Sequence, residues 1–116
     1  MPSFEPGDVI KVPFPYTDRT ARQRRPALVV SASNLEITHD LLWVLMITSA
    51  ENRPWPDDVA LTELAKAGLP AASVIRTAKI AAINADHAER LGRVSPRIYR
   101  EVLGRLAAHL RIATWR

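Results

Sequence analysis

Arg24 and Arg25 stand side by side immediately before Pro26, with Arg19 and Arg22 just upstream and only Asp18 nearby to offset them. A guanidinium keeps its charge at any working pH, and its planar fork donates two parallel hydrogen bonds to a phosphate. A cluster of them between two short apolar runs therefore suits a phosphate-bearing partner. Proline after Arg25 biases that residue to extended backbone and holds its side chain near the start of a strand. If that partner is RNA, cleavage without a metal would need few parts. A 2′-hydroxyl attacks the adjacent phosphorus, negative charge grows on the phosphoryl oxygens, and the 5′-oxygen leaves. A protein helps by fixing that geometry and placing cationic donors where the charge develops. Arg25 is the first candidate for that donor. With a pKa above ~12 it is a poor proton source, so its role would be electrostatic. Arg24, Arg19 and Arg22 are candidates for contacts to the RNA backbone. Read alone, each would be a solvated loop arginine paired to an acid; the clustering is what points to nucleic acid.

Thr48 ends the apolar run Leu41–Ile47, and its hydroxyl could bond a phosphate oxygen without adding charge. An isolated strand-end threonine more often bonds nearby backbone. Ser49 could share the task or simply close the strand. No general base stands out. His39 precedes the third apolar run, His87 follows Asp86 in a turn or short helix, and His109 is expected on the surface of the last helix. Asp57 and Asp58 are adjacent, so on a strand they would face opposite ways and could not act together. With no cysteine, no paired histidines and no acid cluster, no metal site is expected, and four scattered glycines make no phosphate loop. No cofactor is expected.

The elements that must position these residues read as short strands. Val9–Phe14, Ala27–Ser31 and Leu41–Thr48 are β-branched or apolar runs punctuated by proline, glycine and polar residues. Ser33 and Asn34 could cap a short turn of helix. Asp57–Leu61 is expected as a fourth strand, Glu63–Ala67 as a brief helix stopped by Gly68 and Pro70, and Ser73–Arg76 and Lys79–Ile83 as further strands. Ser95 followed by Pro96 gives an N-cap and a first-turn proline, after which Tyr99, Leu103, Leu106 and Leu110 recur at helical spacing. Many short strands closed by one C-terminal helix make a mainly β protein, a small antiparallel barrel. A chain of 116 residues, 47% apolar, supports one globular domain over residues 1–116. The formal charge of +4 favours an anionic partner only mildly, since lysine appears just three times and arginine supplies the rest. The absence of cysteine suits a reducing compartment. No signal peptide is read at the N-terminus, and the longest apolar run is too short to span a bilayer. A cytoplasmic protein without membrane attachment is expected.

Gly7-Asp8 before the first strand, Pro13-Phe14-Pro15-Tyr16-Thr17-Asp18, Arg24-Arg25-Pro26-Ala27-Leu28-Val29-Val30-Ser31 and Ile47-Thr48-Ser49 follow one another in an order that resembles the MazF/PemK toxins of bacterial toxin–antitoxin pairs. The likeness continues through Ala67-Gly68-Leu69-Pro70, Ser73-Val74-Ile75-Arg76-Thr77-Ala78-Lys79-Ile80 and the C-terminal helix, covering nearly the whole chain. It implies an SH3-like barrel. It implies that Arg25, before the proline, and Thr48 are the catalytic pair, and it adds Ser49 and Arg76 as RNA contacts. Some relatives carry an Arg and an Asp ahead of the Arg-Thr segment, where this chain has Ala71 and Ser73. A carboxylate base from that segment is therefore in doubt, and Arg25 and Thr48 must carry more of the work.

The function these readings favour is a metal-independent, sequence-selective endoribonuclease toxin. It would cut single-stranded RNA by 2′-hydroxyl attack, leaving 2′,3′-cyclic phosphate and 5′-hydroxyl ends. The alternative is a non-catalytic toxin of the same fold that inhibits a protein target such as DNA gyrase. That alternative draws on Trp115 near the C-terminus, but such relatives lack the Arg-Arg-Pro motif found here. Expected partners are single-stranded RNA, a second copy of the chain forming a homodimer, and a cognate antitoxin. The antitoxin's acidic C-terminal segment would lie over Arg22, Arg24 and Arg25 with an apolar anchor beside Trp55.

Overall fold

Six antiparallel strands in the order β4-β5-β3-β2-β1-β6 form a curled half-barrel sheet, closed by a C-terminal helix. The computed structural model describes residues 3–13 and 24–111. β1 spans Asp8–Pro13, β2 Arg24–Val29, β3 Leu41–Ser49, β4 Val59–Leu61, β5 Ser73–Asn84 and β6 Glu89–Arg93. The helices are α1 Ser33–His39, α2 Leu64–Ala67 and α3 Pro96–Leu110, with one 3₁₀ turn at Ala85–His87.

Side chains alternate across the strands, and here both faces are apolar. Val9, Leu28, Leu45 and Ile47 pack with Ile98 and Val102 of α3 and Ala67 of α2. Their neighbours Ile10, Ala27, Val29, Val44 and Met46 form a second cluster with Phe4, Leu42 and Ile83. The sheet bends where the β3–β5 register shifts between Leu45, opposite Ile80, and Met46, opposite Arg76. That irregularity falls at Thr77–Lys79, where the sequence suggests a break between two strands. The structure instead runs one strand through it, because a bulge absorbs extra residues and increases local twist.

Other boundaries also differ from expectation. β2 begins at Arg24 rather than Ala27, so Arg25 belongs to a strand and not to a loop. β6 was not expected at all. Its Glu89-Arg90-Leu91-Gly92-Arg93 sequence is too charged to read as a strand, which is how an edge strand commonly looks. In α3 the Ser95 hydroxyl accepts the Ile98 N–H at 3.3 Å, as the cap signal implies. The buried stripe, however, is Ile98 and Val102 with Tyr99 and Leu106 half-buried, while Leu103 and Leu110 are exposed. Isoleucine and valine at i and i+4 set the face, one step round from the leucine series.

α2 sits directly on β6, backbone against backbone. Gly68 caps α2 at φ +75°, and a Cβ there would lie 2.2 Å from the Leu91 carbonyl oxygen. Gly92 is its counterpart, with a Cβ falling 2.3 Å from the Lys66 carbonyl oxygen. Only glycine permits that approach. On the opposite edge of this contact the buried Asp8 carboxylate takes Arg93 at 2.6 Å and Arg90 at 3.3 Å, tying the start of β1 to β6. Burial pushes the nearby Tyr99 phenol up from its ordinary pKa, and the Arg93 charge partly offsets this. Among the described residues no helix is long and apolar enough to cross a membrane.

Candidate active-site cleft

The β2–β3 ladder pairs Val29 with Val44, Leu28 with Leu45 and Ala27 with Met46, and then stops. The next residue on β2 is Pro26, which has no N–H to give to a ladder. Extended two steps, the same register would set Arg25 opposite Thr48. The strands part there instead, and a cleft of about 350 Å³ opens between them. Arg25 and Thr48 both line it, with Lys11 from β1 and Ser49 at the end of β3. The segment Gly68–Ser73 and Leu91 of β6 close the far side. The two residues singled out as a reacting pair, distant in sequence, are thus brought to one cleft by strand register.

Arg25 is half-buried at the cleft and Lys11 is exposed. Thr48 is only 4% exposed. Its Oγ1 accepts a hydrogen bond from Asn52 Nδ2 at 2.6 Å. Ser49 Oγ accepts from the Glu51 N–H at 3.1 Å, so it closes its own turn while lining the cleft. Ala71 and Ser73 also line the wall. Ser73 donates its hydroxyl to the Ala71 carbonyl at 2.9 Å. The positions where some relatives carry charge are therefore part of the cleft, but present an uncharged surface.

The remaining arginines part company. Neighbours on a strand face opposite ways, and Arg24 turns from the cleft to donate to the Lys11 carbonyl at 3.0 Å and the His87 carbonyl at 3.2 Å, 3.7 Å from Glu89. Arg76 does not line the cleft. It is buried, reaching both oxygens of Asp58 at 3.0 and 3.3 Å and the Arg53 carbonyl at 2.9 Å, with its guanidinium 4.4 Å from the centroid of the Trp55 ring. Here it is a strut under the β3–β4 loop, and burial of its partner explains why. Asp57 and Asp58 lie in the turn before β4 and do point apart, Asp57 towards Arg105 at 3.5 Å. None of the three histidines lines the cleft. His109 Nε2 stands 3.1 Å from Thr77 Oγ1, so its ring is bound rather than merely solvated. Arg19, Arg22 and Trp115 lie outside the described residues.

The family model of the PemK-like, MazF-like toxins of type II toxin–antitoxin systems matches residues 5–110. The chain belongs to this family. No curated protein matches its sequence. Among solved structures, MazF from Deinococcus radiodurans is 22% identical with a TM-score of 0.77, over 94% of this chain and 97% of that one. An endoribonuclease in complex with its cognate antitoxin from a mycobacterial species is 19% identical with a TM-score of 0.74, over 99% of this chain and 100% of the other. The toxin MazF-mt6 of Mycobacterium tuberculosis is 13% identical with a TM-score of 0.72, over 92% and 99%. At these identities the likeness shows a shared fold.

For this PemK/MazF-like chain, sequence reasoning missed Lys11 and Asn52. Lys11 is one of two exposed residues of β1, at the start of an alternating stretch, a signal for facing but not for a cleft. Asn52 lies in a polar loop with no periodicity. Its one clue is that asparagine readily folds its amide back onto a turn.

Proposed function

We propose that this toxin is an endoribonuclease that cuts single-stranded RNA in the β2–β3 cleft. The observation that carries the reading is that Arg25 and Thr48 reach one cleft from two strands, two positions beyond the last pair of their ladder. The endoribonuclease activity named for the mycobacterial neighbour supports it. The 2′-oxygen forms a bond to phosphorus while the bond to the 5′-oxygen breaks; the 2′-hydroxyl loses its proton and the departing oxygen gains one. Arg25 faces the charge that grows on the non-bridging oxygens, Thr48 donates its hydroxyl to one of them, and Lys11 adds positive potential at the rim. The products are a 2′,3′-cyclic phosphate and a 5′-hydroxyl. A single strand suits an open cleft because unpaired bases can be splayed along its wall.

The test is incubation of the purified protein with a defined single-stranded RNA in chelator, followed by mapping of both new ends. Cyclic phosphate and 5′-hydroxyl termini are expected, at a rate that falls as salt rises. Intact RNA, or 5′-phosphate ends, would overturn the proposal. An acidic antitoxin segment is proposed to occupy the same cleft, so it should displace a non-cleavable RNA; both binding together at full affinity would refute that.

A homodimer is part of the same proposal. Trp43 on β3, Ile80 on β5 and Leu110 at the end of α3 are about half exposed and border one apolar depression. β3, β5 and α3 would then form the seam. Full burial of such a side chain is worth about 1.5–3 kcal/mol, and since each is about half buried already a second copy would gain about half of that at each by covering them. Light scattering at micromolar concentration should give twice the chain mass, and a monomer mass would refute it.

A further inference from the structure

We infer that Asn52 is a positioning residue for Thr48: its side-chain amide donates into Thr48 Oγ1 and so commits the hydroxyl proton to the cleft. The inference rests on the reading above, in which Thr48 contacts the scissile phosphate. A threonine hydroxyl has one proton to donate and two lone pairs. Left to itself at the end of a strand it would turn that proton to a nearby backbone carbonyl. Here the 2.6 Å bond from Asn52 Nδ2 fills one lone pair from the loop side, and among the described residues Thr48 donates to no acceptor. Thr48 as a residue is almost wholly buried yet borders the cleft, and with one lone pair taken by Asn52 its hydroxyl proton is left to a phosphate oxygen seated there.

Asn52 is itself held on both sides. Its N–H donates to the Ser49 carbonyl at 3.1 Å, closing a turn that starts next to Thr48, and the Glu51 N–H donates to Ser49 Oγ inside the same turn. On its other side the Arg53 carbonyl is gripped by Arg76 at 2.9 Å. A loop asparagine with one free end would sample many rotamers; this one has its backbone pinned before and after. The chain from Arg76 to Arg53, Asn52 and Thr48 fixes the hydroxyl from β5 through the loop. This gives the β3–β4 loop a role in the reaction although, of these four residues, only Thr48 reaches the substrate.

The experiment is single-turnover cleavage of a short single-stranded RNA by Asn52→Ala, Asn52→Asp, Thr48→Ala and the Asn52→Ala/Thr48→Ala double variant. Asn52→Ala should lower kcat roughly tenfold, the scale of one hydrogen bond, with KM nearly unchanged. The double variant should be no slower than Thr48→Ala, because Asn52 acts only through Thr48. Asn52→Asp should lose at least as much as alanine, since an ionised carboxylate only accepts and would draw the proton out of the cleft. Multiplying losses in the double variant, or a wild-type rate in Asn52→Asp, would overturn the inference. So would a wild-type rate in Thr48→Ala, which removes Thr48 from the reaction. The Asn52 amide resonance reports the contact without turnover. A shift in Thr48→Val with no cleavage by the wild type would sink the nuclease reading while keeping the contact; no shift would overturn the inference whatever the activity.

Discussion

Replacing Arg25 by alanine is expected to slow RNA cleavage about 10²–10³-fold, the loss found when one donor to a developing oxyanion is removed. Arg25 earns that magnitude from its surroundings. It is half-buried where β2 leaves β3, with apolar Pro26, Leu69 and Leu91 around the same cleft, and a charge beside low-dielectric walls acts more strongly than one in water. Arg25→Lys should recover only part of the rate, because an ammonium restores charge but not the bidentate fork. The measurement is single-turnover cleavage at saturating protein, which separates the chemical step from RNA affinity. A melting curve of the alanine variant beside the wild type separates a loss of chemistry from a loss of fold. Full cleavage by Arg25→Ala would take this residue out of the reaction.

The second large effect is on stability. Arg76→Ala should cost about 3–5 kcal/mol, because it leaves the Asp58 carboxylate buried and uncompensated. The paired side chains are only 7% and 9% exposed, and the substitution also frees the Arg53 carbonyl and the Trp55 ring face. For a domain of this size that is a fall in Tm of roughly 10–20 °C. The informative comparison is Arg76→Met combined with Asp58→Leu. Removing both charges together is often neutral or better, so the pair of changes should melt well above Arg76→Ala alone. Equal melting of Arg76→Ala and wild type would mean the buried pair holds nothing.

How much of this was readable beforehand follows from what each residue's neighbours do. The Arg25-Pro26 pair and the apolar run ending at Thr48 carry their own signals, and the structure sets both on one cleft. The strand core was legible for the same reason: β-branched runs bounded by proline and glycine leave few alternatives. Arg76, read as an RNA contact, sits instead on Asp58 and Trp55, about twenty residues away and joined to it only by folding, so its placement could not be read from its neighbours in sequence. Arg24 presents the same problem in miniature. Two adjacent arginines look alike in sequence, yet strand geometry sends one to the cleft and the other across β1. β6 was invisible because its pairing with β1 and its glycine contact with α2, not its own composition, make it a strand.

The division of supports around the cleft bears on how such a protein could change its target over evolutionary time. The side chains proposed to react, Arg25 and Thr48, stand on β2 and β3, inside the sheet, whereas the opposite wall is the short Pro70–Ala72 stretch, exposed and bearing small side chains. That stretch is anchored by backbone: Ala72 accepts the Ala50 N–H, and the Gly68 cap is seated on Leu91. Side chains there can be exchanged without disturbing either anchor. Under the proposed RNA cleavage, a lineage could therefore alter which bases meet this wall while Arg25 and Thr48 stay in place, and a designer could diversify three exposed positions with those two residues untouched.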